Sequence, residues 1–110
     1  VSEKPNEGIR EGLGRLDKLL EHRVRLGICV LLARNDSLSF SRLKDLLQET
    51  DGSLGAHLRK LEDSGYLNVN KQFQDRKPVS WYSLTTPGRE ALTSHLAALQ
   101  QLIQHGNADG

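Results

Sequence analysis

The sequence predicts a mainly α-helical domain that carries one small β-hairpin, an α+β arrangement. Three observations lead there. Leucine-rich stripes at helical spacing recur along the chain, two short runs in its second half alternate apolar with polar residues instead, and the segment between those runs, "QDRKP", is a polar turn. With 110 residues there is material for one core and not for two, so 1–110 is expected to be a single domain.

Ile9, Leu13, Leu16 and Leu20 stand at i, i+4, i+7 and i+11, which predicts a first helix over 9–21, weakened by Gly8, Gly12 and Gly14. "VRLGICVLLARN" predicts a second, with Val24, Ile28, Leu31 and Leu32 on one face and Asn35 with Asp36 as its stop. After the extended piece "SLSF", a third helix reads "SRLKDLLQ", begun near Ser39 or Ser41, with Phe40, Leu43, Leu46 and Leu47 turned inward. In "TDGSLGAHLRKLEDSGYL", Leu54, Leu58 and Leu61 define the buried side of a fourth helix over 52–64. Asp51 is its expected N-cap and Gly65 its left-handed terminator. "YLNVNKQF" and "VSWYSLT" then predict a hairpin over 66–84, with Tyr82 and Leu84 toward the core and Trp81 on the opposite face. Thr86 as N-cap and Pro87 at the first helical position open a last helix over 86–104, striped by Leu92, Leu96, Leu99 and Ile103. The ends, 1–8 and 105–110, are expected to be flexible.

Fifteen Lys and Arg nearly balance 14 Asp and Glu, so the net charge of +1 says nothing of a polyanionic partner and only the placement of charge informs. No apolar run approaches the ~18 residues of a membrane span, and "VSEKPNEGIREG" lacks the apolar core of a signal peptide. A soluble, cytoplasmic protein without a membrane partner is the expectation. The single cysteine, Cys29, sits inside an apolar helix and is read as a small buried hydrophobe. His22, His57, His95 and His105 are scattered, and His95 and His105 would stand about 15 Å apart along one helix, so no metal site is expected. No glycine-rich phosphate loop, nucleophile elbow or paired catalytic carboxylates appear, which argues against an enzyme and against a cofactor.

Helix, short strand, helix, tight turn, helix, hairpin, helix is the order of a winged helix-turn-helix, with the helix-turn-helix over 39–65 and the wing over 66–84. The stretch from Ser41 to Leu92 also resembles the MarR-like winged-helix transcriptional regulators, with their "DG.L..HL..LE..GY" recognition segment, basic wing and "Y.LT..G" corner. The matching residues are Asp51, Gly52, Leu54, His57, Leu58, Leu61, Glu62, Gly65, Tyr66, Tyr82, Leu84, Thr85 and Gly88, and the likeness extends from about Leu16 to Leu102. The resemblance implies a regulator that binds double-stranded DNA, usually as a homodimer on a two-fold-related site.

Placement of charge and bulk agrees with that implication. Opposite the leucine stripe, the fourth helix is expected to present Ser53, Ala56, His57 and Lys60, with Arg59 at the edge; Gly52, Gly55 and Ala56 leave room for close approach to the major groove. Ser53 and His57 are expected to meet bases, Arg59 and Lys60 phosphates. Lys71, Arg76 and Lys77 make the wing basic, and Ser39, Ser41, Arg42 and Lys44 lie where a third helix would cross the phosphate backbone. The stripes Ile9, Leu13, Leu16, Leu20 and Leu92, Leu96, Leu99, Ile103 are longer than so small a core needs, which predicts dimerisation through 9–21 and 86–104. The competing reading is that these helices close on each other within one chain. Two other functions fit the same fold: a protein-interaction module, and an effector- or metal-responsive regulator of the ArsR-like kind. No effector-binding feature is legible.

Overall fold

Leu20, Ile28, Cys29, Leu32, Leu43, Leu54, Leu58 and Leu61, all withdrawn from solvent, meet at the centre of the molecule, and every element is arranged around them. The computed structural model describes the backbone of residues 4–108 and the side chains of residues 8–104. Helices α1 (Lys4–Gly14) and α2 (Arg23–Arg34) come first, then strand β1 (Leu38–Ser39) and helices α3 (Phe40–Leu47) and α4 (Asp51–Asp63). Strands β2 (Leu67–Gln74) and β3 (Lys77–Leu84) and helix α5 (Thr86–Ala108) complete the chain. Residues 4–8 and 105–108, expected to be flexible, are therefore helical; 1–3 and 109–110 lie outside the described residues.

Hydroxyl caps start α3, α4 and α5, at an expected residue for α3 and one residue earlier than expected for α4 and α5. Ser39 Oγ accepts from Arg42 N at 3.1 Å and starts α3. Thr50, not Asp51, caps α4, its Oγ1 accepting from Ser53 N at 3.2 Å. Thr85, not Thr86, caps α5, accepting from Gly88 N at 3.0 Å, which moves Pro87 to the second helical position. The end of α4 is as expected: Gly65 has φ of +82°, its N–H reaches Glu62 O at 3.0 Å, and Tyr66 N–H reaches Leu61 O at 2.9 Å.

The extended piece before α3 joins the hairpin, giving a three-stranded antiparallel sheet in the order β1-β3-β2. Leu38 pairs with Tyr82 and Ser39 with Trp81, while β2 and β3 pair from Leu67↔Leu84 out to Gln74↔Lys77. One face bears Leu67, Tyr82 and Leu84 against the core, with Val69 half-buried further out on the same face. Trp81 is half-buried on the other face, where its Nε1 has no hydrogen-bond partner.

The first helix departs most from its prediction. It stops at Gly14, since glycines so close together supply little helix propensity, and Leu16 and Leu20 fall in the turns that follow. Leu20 enters the core of its own chain, as does Leu92, so neither is available to a partner. Leu46, expected inward, is exposed because α3 is too short to turn both of its last leucines under the fold. α1 packs along α5, with Gly12 buried beneath Leu102 and Arg15 Nη1 donating to Gln101 Oε1 at 2.5 Å. The radius of gyration is 17.0 Å, against about 13 Å expected for a compact chain of this length. The terminal helices and the wing thus project from the core.

Candidate nucleic-acid interface

Burial of Leu54, Leu58 and Leu61 dictates which way α4 looks. Gly52, Ala56, Arg59 and Lys60 stand exposed opposite them, with Glu62 and Asp63 at the C-terminal end of the same surface. A Cβ added at Gly52 or Gly55 would meet nothing within 4 Å, so these positions keep the first two turns low rather than relieving any crowding inside the fold. The outer ridge is accordingly small near the N-terminus and cationic one turn later. That is the profile of a helix that enters a groove by its N-terminal half while holding phosphates further along.

Arg59 also leans toward the wing. With Gly55, Leu58 and Glu62 it forms one wall of a cleft of about 360 Å³ whose other wall is Val69, Lys71, Ser80 and Tyr82, with Phe40 at one end. Arg59 and Lys71 therefore face a shared space from two elements. The wing continues outward from Lys71 with every residue to Pro78 exposed. Its turn consists of Asp75 and Arg76, with φ of 51° and 67°, the left-handed pair that a two-residue hairpin requires. Glycine would relieve that position, yet the chain places an arginine there and projects its charge from the tip. Lys77 opens β3 opposite Gln74.

The remaining predicted contacts divide. Ser41 and Arg42 are exposed on α3, but Ser39 is half-buried in the sheet and occupied as a cap. Lys44 Nζ lies 2.8 Å from Asp51 Oδ1, and that hydrogen bond raises its pKa above the ordinary 10.5; its charge is partnered across the α3–α4 turn. Ser53 turns back to Glu49, donating to its Oε1 at 2.8 Å. His57 turns toward α2, where its Nδ1 lies 3.1 Å from Arg25 Nη1 and its ring centroid 4.2 Å from that of His22. Arginine can only donate, so His57 accepts at Nδ1 and is neutral in this arrangement. Burial first, then the neighbouring His22 and Arg25, lower its pKa below 6.5. Arg25 is oriented in turn by its Nε, which donates to Leu19 O at 2.6 Å. Ser53 thus closes on the turn that leads into α4 and His57 on α2, and neither stands on the outer ridge of that helix as expected. Both lie on its flank, and only the position of the neighbouring elements decides whether a flank is wet.

Two features escaped the sequence reading. Arg25 holds His57 across 32 residues of chain, for which no local signal exists. Phe73 stands exposed on the wing; its place in the alternation Leu67, Val69, Lys71, Phe73 was readable, but not how far the wing outruns the core.

A family model described as winged helix DNA-binding domain matches residues 24–103. A protein of Methanocaldococcus jannaschii is 32% identical over 88 residues, covering 80% of this chain and 96% of its own. The solved structure of a transcriptional regulator homologue from Pyrococcus horikoshii superimposes with a TM-score of 0.78 at 31% identity, over 89% of this chain and 95% of that one. Apo MarR of E. coli, at 21% identity, shares the fold with a TM-score of 0.68 over 99% of this chain and 78% of its own. α3 and α4 stand as the helix-turn-helix and β2–β3 as the wing, and the chain, MarR-like in its fold, belongs to the winged helix DNA-binding domain family.

Proposed function

We propose that this protein is a sequence-specific DNA-binding transcriptional regulator that acts as a homodimer. The observation that carries the reading is the pairing of α4's outer ridge with the wing. Arg59 on the helix and Lys71 on the hairpin set a cation on each side of one cleft, with Lys60 exposed beside Arg59, Arg76 and Lys77 exposed further along the wing, and the small residues Gly52 and Ala56 exposed toward the start of the helix. In this reading α4 enters the major groove, Arg59 and Lys60 hold phosphates, the wing lies beside it, and Ser41 and Arg42 approach the backbone from α3. Action of the repressor type follows most simply, since occupying a site needs no surface beyond this one.

Dimerisation is supported by what α1 and α5 leave uncovered after packing on each other. Leu13 is 54% exposed, Leu96 43% and Ile103 63%, with Ile9, Leu16 and Leu99 half-buried beside them. A two-fold copy would bury these side chains at roughly 25 cal/mol per Å² and set two α4 helices about 34 Å apart, so the preferred site would be an inverted repeat.

The test is selection of duplexes from a random pool at low salt, followed by titration. Arg59→Ala and Lys60→Ala should weaken all duplexes alike and reduce the salt slope by about one each. A chain that binds no duplex would sink the proposal. Sedimentation equilibrium on wild type and on a Leu96→Glu, Ile103→Glu variant tests the dimer, because both side chains are exposed and their replacement spares the fold. A wild-type monomer at tens of micromolar would remove it.

A further inference from the structure

We propose that Phe73 and Pro78 form an apolar wedge which the wing inserts into the minor groove of bound DNA, an inference that rests on the DNA-binding reading above. Among the described residues, Phe73 is the most exposed large hydrophobic side chain, at 78%. It stands directly across from Pro78, which is exposed as well, so the two form one apolar patch on a ribbon two strands wide. The third strand reaches only Tyr82 and Trp81, and every residue from Lys71 to Pro78 is exposed.

Direction and charge select the occupant. Strand alternation puts Phe73 on the same face as Lys71, the face that closes the cleft against Arg59, and about 7 Å further from the core. Cations bracket the patch, with Lys71 on one side and Arg76 and Lys77 on the other, and Asp75 is the one acidic residue from Lys71 to Pro78. A polyanion with flat apolar edges between its charges satisfies both properties at once. A narrow ribbon that presents a ring and a proline between cations is suited to pry at a base step from the minor-groove side, unstacking it and bending the duplex. The left-handed turn serves the same contact by projecting Arg76 past the wedge toward the flanking phosphate.

The experiment uses 30-base-pair duplexes that the wild-type 110-residue chain selects from a random pool, with 2-aminopurine placed at each step in turn across the protected region. Wild type should raise the fluorescence at one step outside the stretch covered by α4, and Phe73→Ala should abolish that rise and weaken binding about tenfold with no change in salt slope. Arg76→Ala should instead lower the slope by about one. Phe73→Leu keeps an apolar partner for Pro78 and so preserves the hairpin. A leucine can also enter a base step, so this variant should keep part of the fluorescence rise, whereas Phe73→Thr, a strand-former too short and polar to wedge, should keep the fold and lose the rise, which separates a wedge from a side chain that merely stiffens the ribbon. Flat fluorescence at every step with wild type, or unchanged affinity in a folded Phe73→Ala, would overturn the wedge and leave DNA binding intact. The second result would point to Phe73 as a seat for another protein. Failure of the wild type to select any duplex would overturn the DNA reading itself.

Discussion

The hydroxyl of Tyr66 donates to the Asp17 carboxylate across 2.5 Å, joining the turn between α4 and β2 to the turn that precedes α2. Asp17 also donates its backbone N–H to the buried His95 Nδ1 at 2.9 Å, so one residue ties the segment that follows α4 to α5. The Tyr66→Phe variant should lose about 2 kcal/mol, the scale of a hydrogen bond to a charged group, read as a lower urea midpoint at pH 7. The hydrogen bond to Asp17, with burial and the carboxylate charge behind it, pushes the phenol up to about 12 from its usual 10. A raised folded-state value makes the contribution complete below pH 10 and lost as the pH climbs toward 12. The wild-type advantage over Tyr66→Phe should therefore shrink across that interval.

Gly88 is predicted to tolerate no side chain. It is buried in the first turn of α5, and a Cβ there would be driven into the backbone carbonyl of Tyr66, with Leu84 Cδ2 only 3.0 Å away. A backbone oxygen that accepts from Thr85 N cannot swing aside as a side chain would. Gly88→Ala should cost about 3 kcal/mol in equilibrium unfolding. Gly52→Ala, which meets open space and sits in a helix, should leave stability unchanged or slightly higher while weakening DNA binding by its bulk.

Acid should loosen the contact between α2 and α4. The pKa of His57 is lowered by burial, His22 and Arg25, so the folded state takes up its proton less readily than the unfolded chain. Stability from this group is complete above pH 6.5 and declines as the pH falls below it. Urea midpoints at pH 7.5 and 5.5 should differ more in wild type than in His57→Gln. Equal differences in the two proteins would show that the cluster carries no pH dependence.

The Cys29 thiol should be inert in the native protein. Burial, reinforced by the nearby Asp17 charge, pushes it up to about 12, so thiolate is scarce at neutral pH and reagent has no path to it. Labelling by an aromatic disulfide at pH 8 should follow the rate of unfolding; a fast native phase would contradict the packing described.

Much of the architecture was legible because period is a local property. The Leu54, Leu58, Leu61 stripe names the buried side of α4 whatever surrounds it, and Gly65 ends that helix by its own backbone freedom. Alternation from Leu67 to Phe73 sufficed for the wing, and the corner from Tyr82 to Gly88 was readable as a motif. Tertiary structure decided what period cannot express, namely which neighbour a face meets. Leu20 and Leu96 look alike in their stripes, yet the broken end of α1 carries Leu20 into the core while α5 buries the side that bears Leu92, His95 and Ala98 and leaves Leu96 wet. His57 and Lys60 both point away from the leucines, but α2 brings Arg25 against His57, whereas no described side chain is hydrogen-bonded or ion-paired to that of Lys60. A side chain's direction is set by its own helix; its partner is set by where a distant segment packs, and that choice belongs to the fold as a whole.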